Sequence, residues 1–271
     1  VSYKVSDALN VYAGYSQGWK AGSFDPRGAN LVTPDVEKGF DPETLDSYEI
    51  GLKSNTLDGR ARTNVAVFWS QYKDMQIPGS LGVDTNGDGV NDSFVGAVTN
   101  AAEASINGVE LEGTYVLTDN LSADVALSLL DPKIKKWIVN GVDVSSQRVI
   151  QNTPKQMFNL GLTYNRQMSS GSLTISGNVS HKSKIVQFET PAPVIDQDAY
   201  SLVNASIVWT SETGEWSLGL HGRNLTNKAV KTAGYCFGSG GCPSTLGLED
   251  DTTVFYGPPR TVTATVKYTM Q

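Results

Sequence analysis

Polar and apolar residues alternate along most of this chain. In SADVALSLL, residues 122 to 130, Ser122, Asp124, Ala126 and Ser128 share one side, and Ala123, Val125, Leu127 and Leu129 share the other. Successive strand side chains point to opposite faces, so this period of two marks a strand with one wet face and one dry face. The same pattern recurs. RTVTATVKYTM sets Val262, Ala264, Val266, Tyr268 and Met270 against Thr261, Thr263, Thr265, Lys267 and Thr269. QMFNLGLTYN sets Phe158, Leu160, Leu162 and Tyr164 against Asn159, Gly161, Thr163 and Asn165. Helical periodicity is almost absent. The alternation predicts eleven strands, near 1–6, 10–23, 43–55, 60–77, 98–117, 121–132, 153–167, 171–188, 198–211, 215–230 and 258–270.

Most of these segments exceed the roughly 5–6 residues of an ordinary globular strand. They match the roughly 9–11 residues that cross a bilayer at a tilt. Their connections alternate in length. Short ones fall at 6–9, 56–59, 118–120, 168–170 and 212–214, and long ones near 24–42, 78–97, 133–152, 189–197 and 231–257. In an antiparallel up-and-down sheet, alternate turns share an end, so all the short turns lie together and all the long loops lie opposite. Transmembrane β-barrels have this asymmetry. Tyr115, Tyr164, Trp209, Trp216 and Tyr268 fall towards the short turns, while Trp19, Trp69 and Tyr72 fall towards the long loops. Two such belts suit side chains that anchor at two membrane interfaces. The opposite faces carry Glu49, Lys53, Glu110, Glu112, Asp124, Arg223 and Lys267, which water must wet. The fold class expected is therefore all-β, an antiparallel up-and-down transmembrane β-barrel. A two-layer soluble sandwich would also expose those charges, and the charge pattern alone leaves it open.

Composition narrows the picture. With 271 residues, net charge −7 and mean hydropathy −0.23, the chain contains no apolar run near the ~20 residues of a spanning helix. A barrel is not excluded by that average, because half of its strand residues are polar. The acidic balance argues against nucleic acid as a partner. The opening VSYKVSDALN has neither an initiator Met nor a leader pattern, so the chain reads as a fragment of a longer protein.

Several stretches together resemble the TonB-dependent outer-membrane receptors of the iron-complex, or siderophore, type. They are VYAGYSQGWKAGSF (11–24), FDPETLDSYEIGLKSNTLDGRARTNVAVFWSQYKDMQI (40–77), INGVELEGTYVLTDNLS (106–122), GRNLTNKA (222–229) and GPPRTVTATVKY (257–268). The resemblance implies that residues 1–271 are the C-terminal portion of the barrel, roughly the last eleven strands of a 22-stranded wall. The plug domain and N-terminal strands would then lie outside this chain. It also implies location in the bacterial outer membrane, and active import of a ferric siderophore or similar large nutrient, with energy coupled through a TonB-type protein that acts on the missing N-terminal part. Outer-membrane lipid would be a partner, and no enzymatic activity is implied. Family members usually end on an aromatic residue, whereas this chain ends YTMQ with Met270 in that register.

DTNGDGVND (84–92) is the sharpest local motif. Asp84, Asn86, Asp88, the Val90 carbonyl and Asp92 take the spacing of a Ca²⁺ loop with Gly89 at its turn, but Val95 stands where a bidentate Glu belongs. This suggests a structural Ca²⁺ in an external loop, the alternative being a polar Asp/Gly turn that holds no ion; no other cofactor is required. Cys236 and Cys242 flank a Gly/Ser-rich loop and suggest a local disulfide in an oxidising compartment, or else half of a metal site. His181 and His221 have no evident partner, and Glu110 and Glu112 share one face as wall charges or an acid pair. No nucleophile elbow, phosphate loop or zinc motif occurs. Contacts with a ligand would fall to the mouth, at Trp19, Lys20, Tyr72, Trp137, Arg148 and Tyr235, with Lys135 and Lys136 nearby. The alternative function is a soluble, secreted, Ca²⁺-dependent adhesin or carbohydrate-binding module, whose apolar faces would be buried against each other.

Overall fold

The computed structural model describes residues 1–26, 39–84, 86–89, 93–139, 141–237 and 251–270. Its strands are β1 (Ser2–Ser6), β2 (Leu9–Lys20), β3 (Glu43–Thr56), β4 (Ala61–Val83), β5 (Ser93–Thr118), β6 (Leu121–Val139), β7 (Val142–Asp143), β8 (Gln156–Met168), β9 (Gly171–Lys182), β10 (Tyr200–Ser211), β11 (Trp216–Arg223), β12 (Lys231–Phe237), β13 (Asp251–Tyr256) and β14 (Thr261–Tyr268). One sheet runs β1-β2-β3-β4-β5-β6-β8-β9-β10-β11-β14, with β7 added beside β6. All its pairings are antiparallel. The eleven strands of that path are the eleven expected from the alternation, in an up-and-down meander open at β1 and β14.

The register keeps the two rows of side chains apart across the whole sheet. Ile50, Val67, Val109 and Leu129 are successive cross-strand partners. So are Val125, Leu160, Val179 and Val203, and so are Tyr164, Ile175, Ile207, Leu220 and Ala264. A slip of one residue anywhere would put an apolar row onto the wet face. The polar row has its own ladder. Asn178 donates to Asn159 at 3.3 Å, Asn204 donates to Asn178 at 3.1 Å, and the Asn224 backbone N–H donates to Asn204 at 2.9 Å.

Among the described residues, the apolar row faces no second layer of protein. The buried apolar residues on the stretches between the aromatic belts are alanines, Ala61 and Ala123, whereas Ile175 is 42% and Val266 69% exposed. Among the described residues, the one apolar cluster lies off the sheet, where Ala192 and Ile195 meet Val194 and Val254. Buried apolar faces in a sandwich would read the other way. One shallow hollow of the sheet, of about 260 Å³, takes Glu110, Glu112, Ser128, Asn159, Ser180 and Lys182 of the polar row together with Leu111, Leu127, Phe158 and His181 of the apolar one.

Aromatic side chains mark two levels on the apolar row. Tyr15, Tyr48 and Trp69 are cross-strand neighbours towards the long loops, the Tyr15 and Tyr48 rings 5.0 Å apart. The Trp216 and Tyr268 rings lie 4.7 Å apart, tilted, at the short-turn end of the sheet, the end to which Trp209, Tyr115 and Tyr164 also fall on their own strands. Trp69 faces Asn107, eight residues from Tyr115 on the same strand. At ~3.3 Å per residue that is ~26 Å of strand. A tilt of 35–45° reduces it to ~20 Å of height, close to the ~25 Å apolar band of a membrane barrel.

Three segments differ from the expectation. The 78–97 segment is mostly strand, because β4 and β5 pair from Ala61/Tyr115 up to Val83/Ser93. Pro78 ordinarily argues against a strand interior. Here it lies beyond Lys73, where the β3 pairing has ended and β4 has a free edge, the place a strand tolerates Pro. The 133–152 segment begins as strand, with β6 running to Val139. The 231–257 segment carries the separate β12–β13 hairpin. Conversely, β9 ends at Lys182 and β11 at Arg223, short of the expected 188 and 230.

Candidate functional site

The long-loop end is where the chain departs from regular repetition. Gln76 and Asn100 are cross-strand partners at the base of the β4–β5 projection. They hold the β2–β3 connection by its backbone. The Gln76 amide donates to the carbonyls of Ala21 (2.9 Å) and Asp41 (3.0 Å), and Glu43 accepts from the Gln76 backbone N–H at 2.7 Å. Asn100 accepts from the Asp41 N–H at 2.6 Å and donates to the Asp41 and Asp74 carbonyls, both at 2.8 Å. The bulge between Tyr72 and Met75, with Asp74 at φ 54°, turns these two amides toward the loop.

A second network joins the connection after β9 to the β12–β13 hairpin. Asp196 is buried; its carboxylate accepts from the N–H groups of Gln187 and Ala192, both at 3.2 Å, and pairs with Lys184 at 3.4 Å. The Lys231 ammonium donates to the carbonyls of Val194 (2.7 Å) and Asp196 (3.2 Å). Ile195 fills the space above Gly234, where a Cβ would lie 2.8 Å from the Ile195 side chain. The connection before β8 joins the same assembly through Val149 N–H to Glu189 O and Asn152 N–H to Val186 O, each 2.9 Å.

The GRNLTNKA stretch is explained by its geometry. Asn224 and Asn227 hold positive φ of 48° and 53°, a conformation Asn tolerates better than most residues. The buried Asn224 amide donates to the carbonyls of Lys228 (2.9 Å) and Pro258 (3.1 Å) and accepts from Lys228 N–H (2.8 Å). Asn227 accepts from Arg260 N–H at 3.0 Å. Two asparagines thus fasten the end of β11 to the approach to β14.

The expected contact residues do not all converge. Trp137 and Arg148 do: β7 and a 3-10 turn at Ser145–Gln147 return the chain so that the guanidinium sits 5.3 Å over the buried Trp137 ring. Asp143 closes that return, accepting from Ser145 N–H (2.9 Å) and Trp137 N–H (3.3 Å). The Ser145 bonds foremost hold its carboxyl below the usual range. Lys20 faces Glu43 and Tyr72 faces Leu45, together on the polar row. Trp19 takes the opposite face, four residues beyond Tyr15 towards the loops, and is 75% exposed. Adjacent strand residues cannot share a face. Tyr235 lies on β12, with its side chain outside the described residues. His181 ends the apolar row beside Ser201 (3.0 Å), and His221 is on the polar row beside Thr265 (3.2 Å). Lys135 donates to Gln71.

The 84–92 motif is the tip of the β4–β5 projection. Asp84 accepts from the backbone N–H groups of Gly87 and Gly89, both at 2.6 Å, and of Asn86 at 3.1 Å. These bonds, that of Gly89 foremost, hold its carboxyl below the usual range. Asn86 donates to Asp88 at 3.1 Å. Val90 and Asp92, the remaining expected donors, lie outside the described residues, as does Cys242 of the expected disulfide.

The chain belongs to the family of TonB-dependent receptor-like β-barrels, whose model matches residues 1–225. It is 26% identical to the ferric-pyoverdine BN7/BN8 receptor of Pseudomonas putida, over 68% of this chain and 19% of that receptor. It is 24% identical to the ferric-pyoverdine M114 receptor PbuA of Pseudomonas sp. (strain M114), over 98% of this chain and 28% of the relative. The chain therefore spans well under a third of either. The crystal structure of the ferric yersiniabactin uptake receptor FyuA from Yersinia pestis superposes on 98% of this chain and 36% of its own with a TM-score of 0.73 at 19% identity. Barrels of this family are bacterial outer-membrane proteins.

Proposed function

We propose that this chain is the C-terminal portion of the barrel wall of a receptor that binds a ferric siderophore or similar metal chelate at the cell surface and imports it with energy supplied through a TonB-type protein. The carrying observation is the family match along a sheet whose long connections all gather at one end. In such barrels that end faces outside. The relatives' names, two ferric-pyoverdine receptors, point to an iron chelate as the ligand class. Arg148 stacked on Trp137, with Lys20 and Tyr72 on the polar row, suits an anionic chelate with aromatic groups. The wall itself does no chemistry in this reading; it shapes a polar lumen and holds loops.

The test is growth of a strain carrying the full-length receptor as its one uptake route, under iron limitation with single purified ferric siderophores. Growth on a chelate that is lost on deletion of the TonB-type protein supports the proposal. Equal growth with and without that protein would indicate a passive pore. Recovery of the full-length protein from the aqueous fraction, without detergent, would favour the secreted adhesin instead.

A further inference from the structure

The wall changes height between β6 and β8. β6 continues ten residues past Leu129, the last residue to pair with β8, while β8 begins at Gln156 and β9 stops at Lys182. The connections before β8 and after β9 fold into this step and leave a hollow of about 490 Å³. Four cations line it, Lys133, Arg148, Lys155 and Lys184, with apolar residues such as Val149 and Ile150; no carboxylate is among its described lining residues. The chain as a whole carries −7, so the concentration of positive charge is local. Two of the four are partly neutralised from outside the hollow, Lys133 by Asp131 at 2.6 Å and Lys184 by Asp196 at 3.4 Å. Arg148 is different. Its Nε is buried and has no hydrogen-bond partner among the described residues. A buried charged donor left unmade is costly, and an incoming anion would satisfy it.

Height adds a constraint. Asp131 faces Asn107, which faces Trp69, so Lys133 stands two residues above the outer aromatic level. Gln156, across from Leu129, stands just below it. The hollow therefore lies at the depth of lipid headgroups, where cations beside apolar surface attract amphiphilic anions.

We propose that this step in the wall is a binding site for an amphiphilic organic anion, an apolar body bearing a phosphate or carboxylate, with Arg148 and Lys155 as the principal charge contacts. The inference goes beyond the import reading and stands whether or not the chelate is correctly assigned. Two sources share the chemistry: an anionic lipid of the surrounding leaflet, and a free anion arriving from solution.

The full-length receptor, purified in neutral detergent, is titrated with octyl phosphate and, as the uncharged control, octyl glucoside. Wild type and the Arg148→Gln/Lys155→Gln variant are compared, with heat-modifiable migration confirming that both fold. Octyl phosphate should bind the wild type, weaken by about tenfold or more in the variant, and outcompete octyl glucoside; tenfold corresponds to about 1.4 kcal/mol. A second arm reconstitutes both proteins in nanodiscs of phosphatidylglycerol and phosphatidylcholine and counts retained lipid by native mass spectrometry. Enrichment of phosphatidylglycerol on the wild type alone identifies the lipid source, and octyl phosphate binding without that enrichment identifies a free anion. Absence of both, or equal binding by the variant, overturns the proposal.

Discussion

Arginine placed at Leu127 should destabilise the barrel, while arginine one step along the strand at Ser128 should not. Leu127 lies on the apolar row between Leu111 and Phe158. Ala123, four residues below, faces Tyr115 of the inner aromatic level, and Asp131, four residues above, faces Asn107, the partner of Trp69. Four residues at ~3.3 Å, tilted by ~40°, put Leu127 about 10 Å from each level, near the middle of the bilayer. An arginine on the lipid face at that depth costs about 2–4 kcal/mol. Ser128 is on the opposite row beside Glu110, to which it donates at 3.4 Å, so its arginine would meet water and a carboxylate and change stability by about 1 kcal/mol or less. The assay is a urea titration of the full-length receptor in lipid vesicles, read as the fraction that keeps its folded, heat-modifiable mobility. A shift of 3 kcal/mol is ~150-fold in the folded-to-unfolded ratio, and the gap between the two variants should be of that order. Equal midpoints, or a larger loss for Ser128→Arg, would show that the faces have been assigned the wrong way round.

Removing the loop clip with Gln76→Ala and Asn100→Ala together should speed amide exchange in residues 39–43 by tenfold or more, since several side-chain bonds of ~1 kcal/mol each are lost; unchanged protection would discount the clip. Asn224→Ala should cost about 2–4 kcal/mol, because it leaves three backbone groups unpaired and strains a residue at φ 48°, and Asn224→Gly should cost less by relieving the strain; equal losses would refute the role given to that φ. The Asp84 carboxyl is held low, so its support of the hairpin tip is complete above the unfolded carboxyl value near 4 and fades as pH falls through its depressed folded value. Exchange at residues 86–89 should thus be flat from pH 8 to 5 after correction for intrinsic rates and accelerate below pH 4; exchange that stays flat down to pH 3 would contradict this.

Much of the wall was legible because its physics is periodic. Each strand repeats every two residues, and one row must be apolar over its whole length when lipid is its neighbour. Val125, Leu160 and Ile175 announce their face without any knowledge of what lies beside them. The short turns were equally local: Leu57, Asp58 and Gly59 all take positive φ between β3 and β4, in a tight reversal. What was illegible depends on residues far apart in sequence. Nothing near Gln76 indicates that its amide will bind Ala21 and Asp41, and Ile195 gains its burial only when Gly234 arrives beneath it. The β12–β13 hairpin was hidden because it pairs with itself, away from the sheet, and lacks a clean apolar row. Among contact residues, Trp137 and Arg148 meet because a short return folds one over the other, whereas Trp19 and Lys20 are separated by the same alternation that revealed the strand.

The apolar row facing hydrocarbon while the polar row surrounds water is most directly tested by quenching along one strand. In the full-length receptor, with Cys236 and Cys242 replaced, single cysteines at 122–129 are labelled with a fluorophore in lipid bilayers and exposed to a lipid-borne nitroxide or to aqueous iodide. Positions 123, 125, 127 and 129 should respond to the nitroxide, and positions 122, 124, 126 and 128 to iodide. A response without that alternation, or with the two quenchers exchanged, would contradict the account.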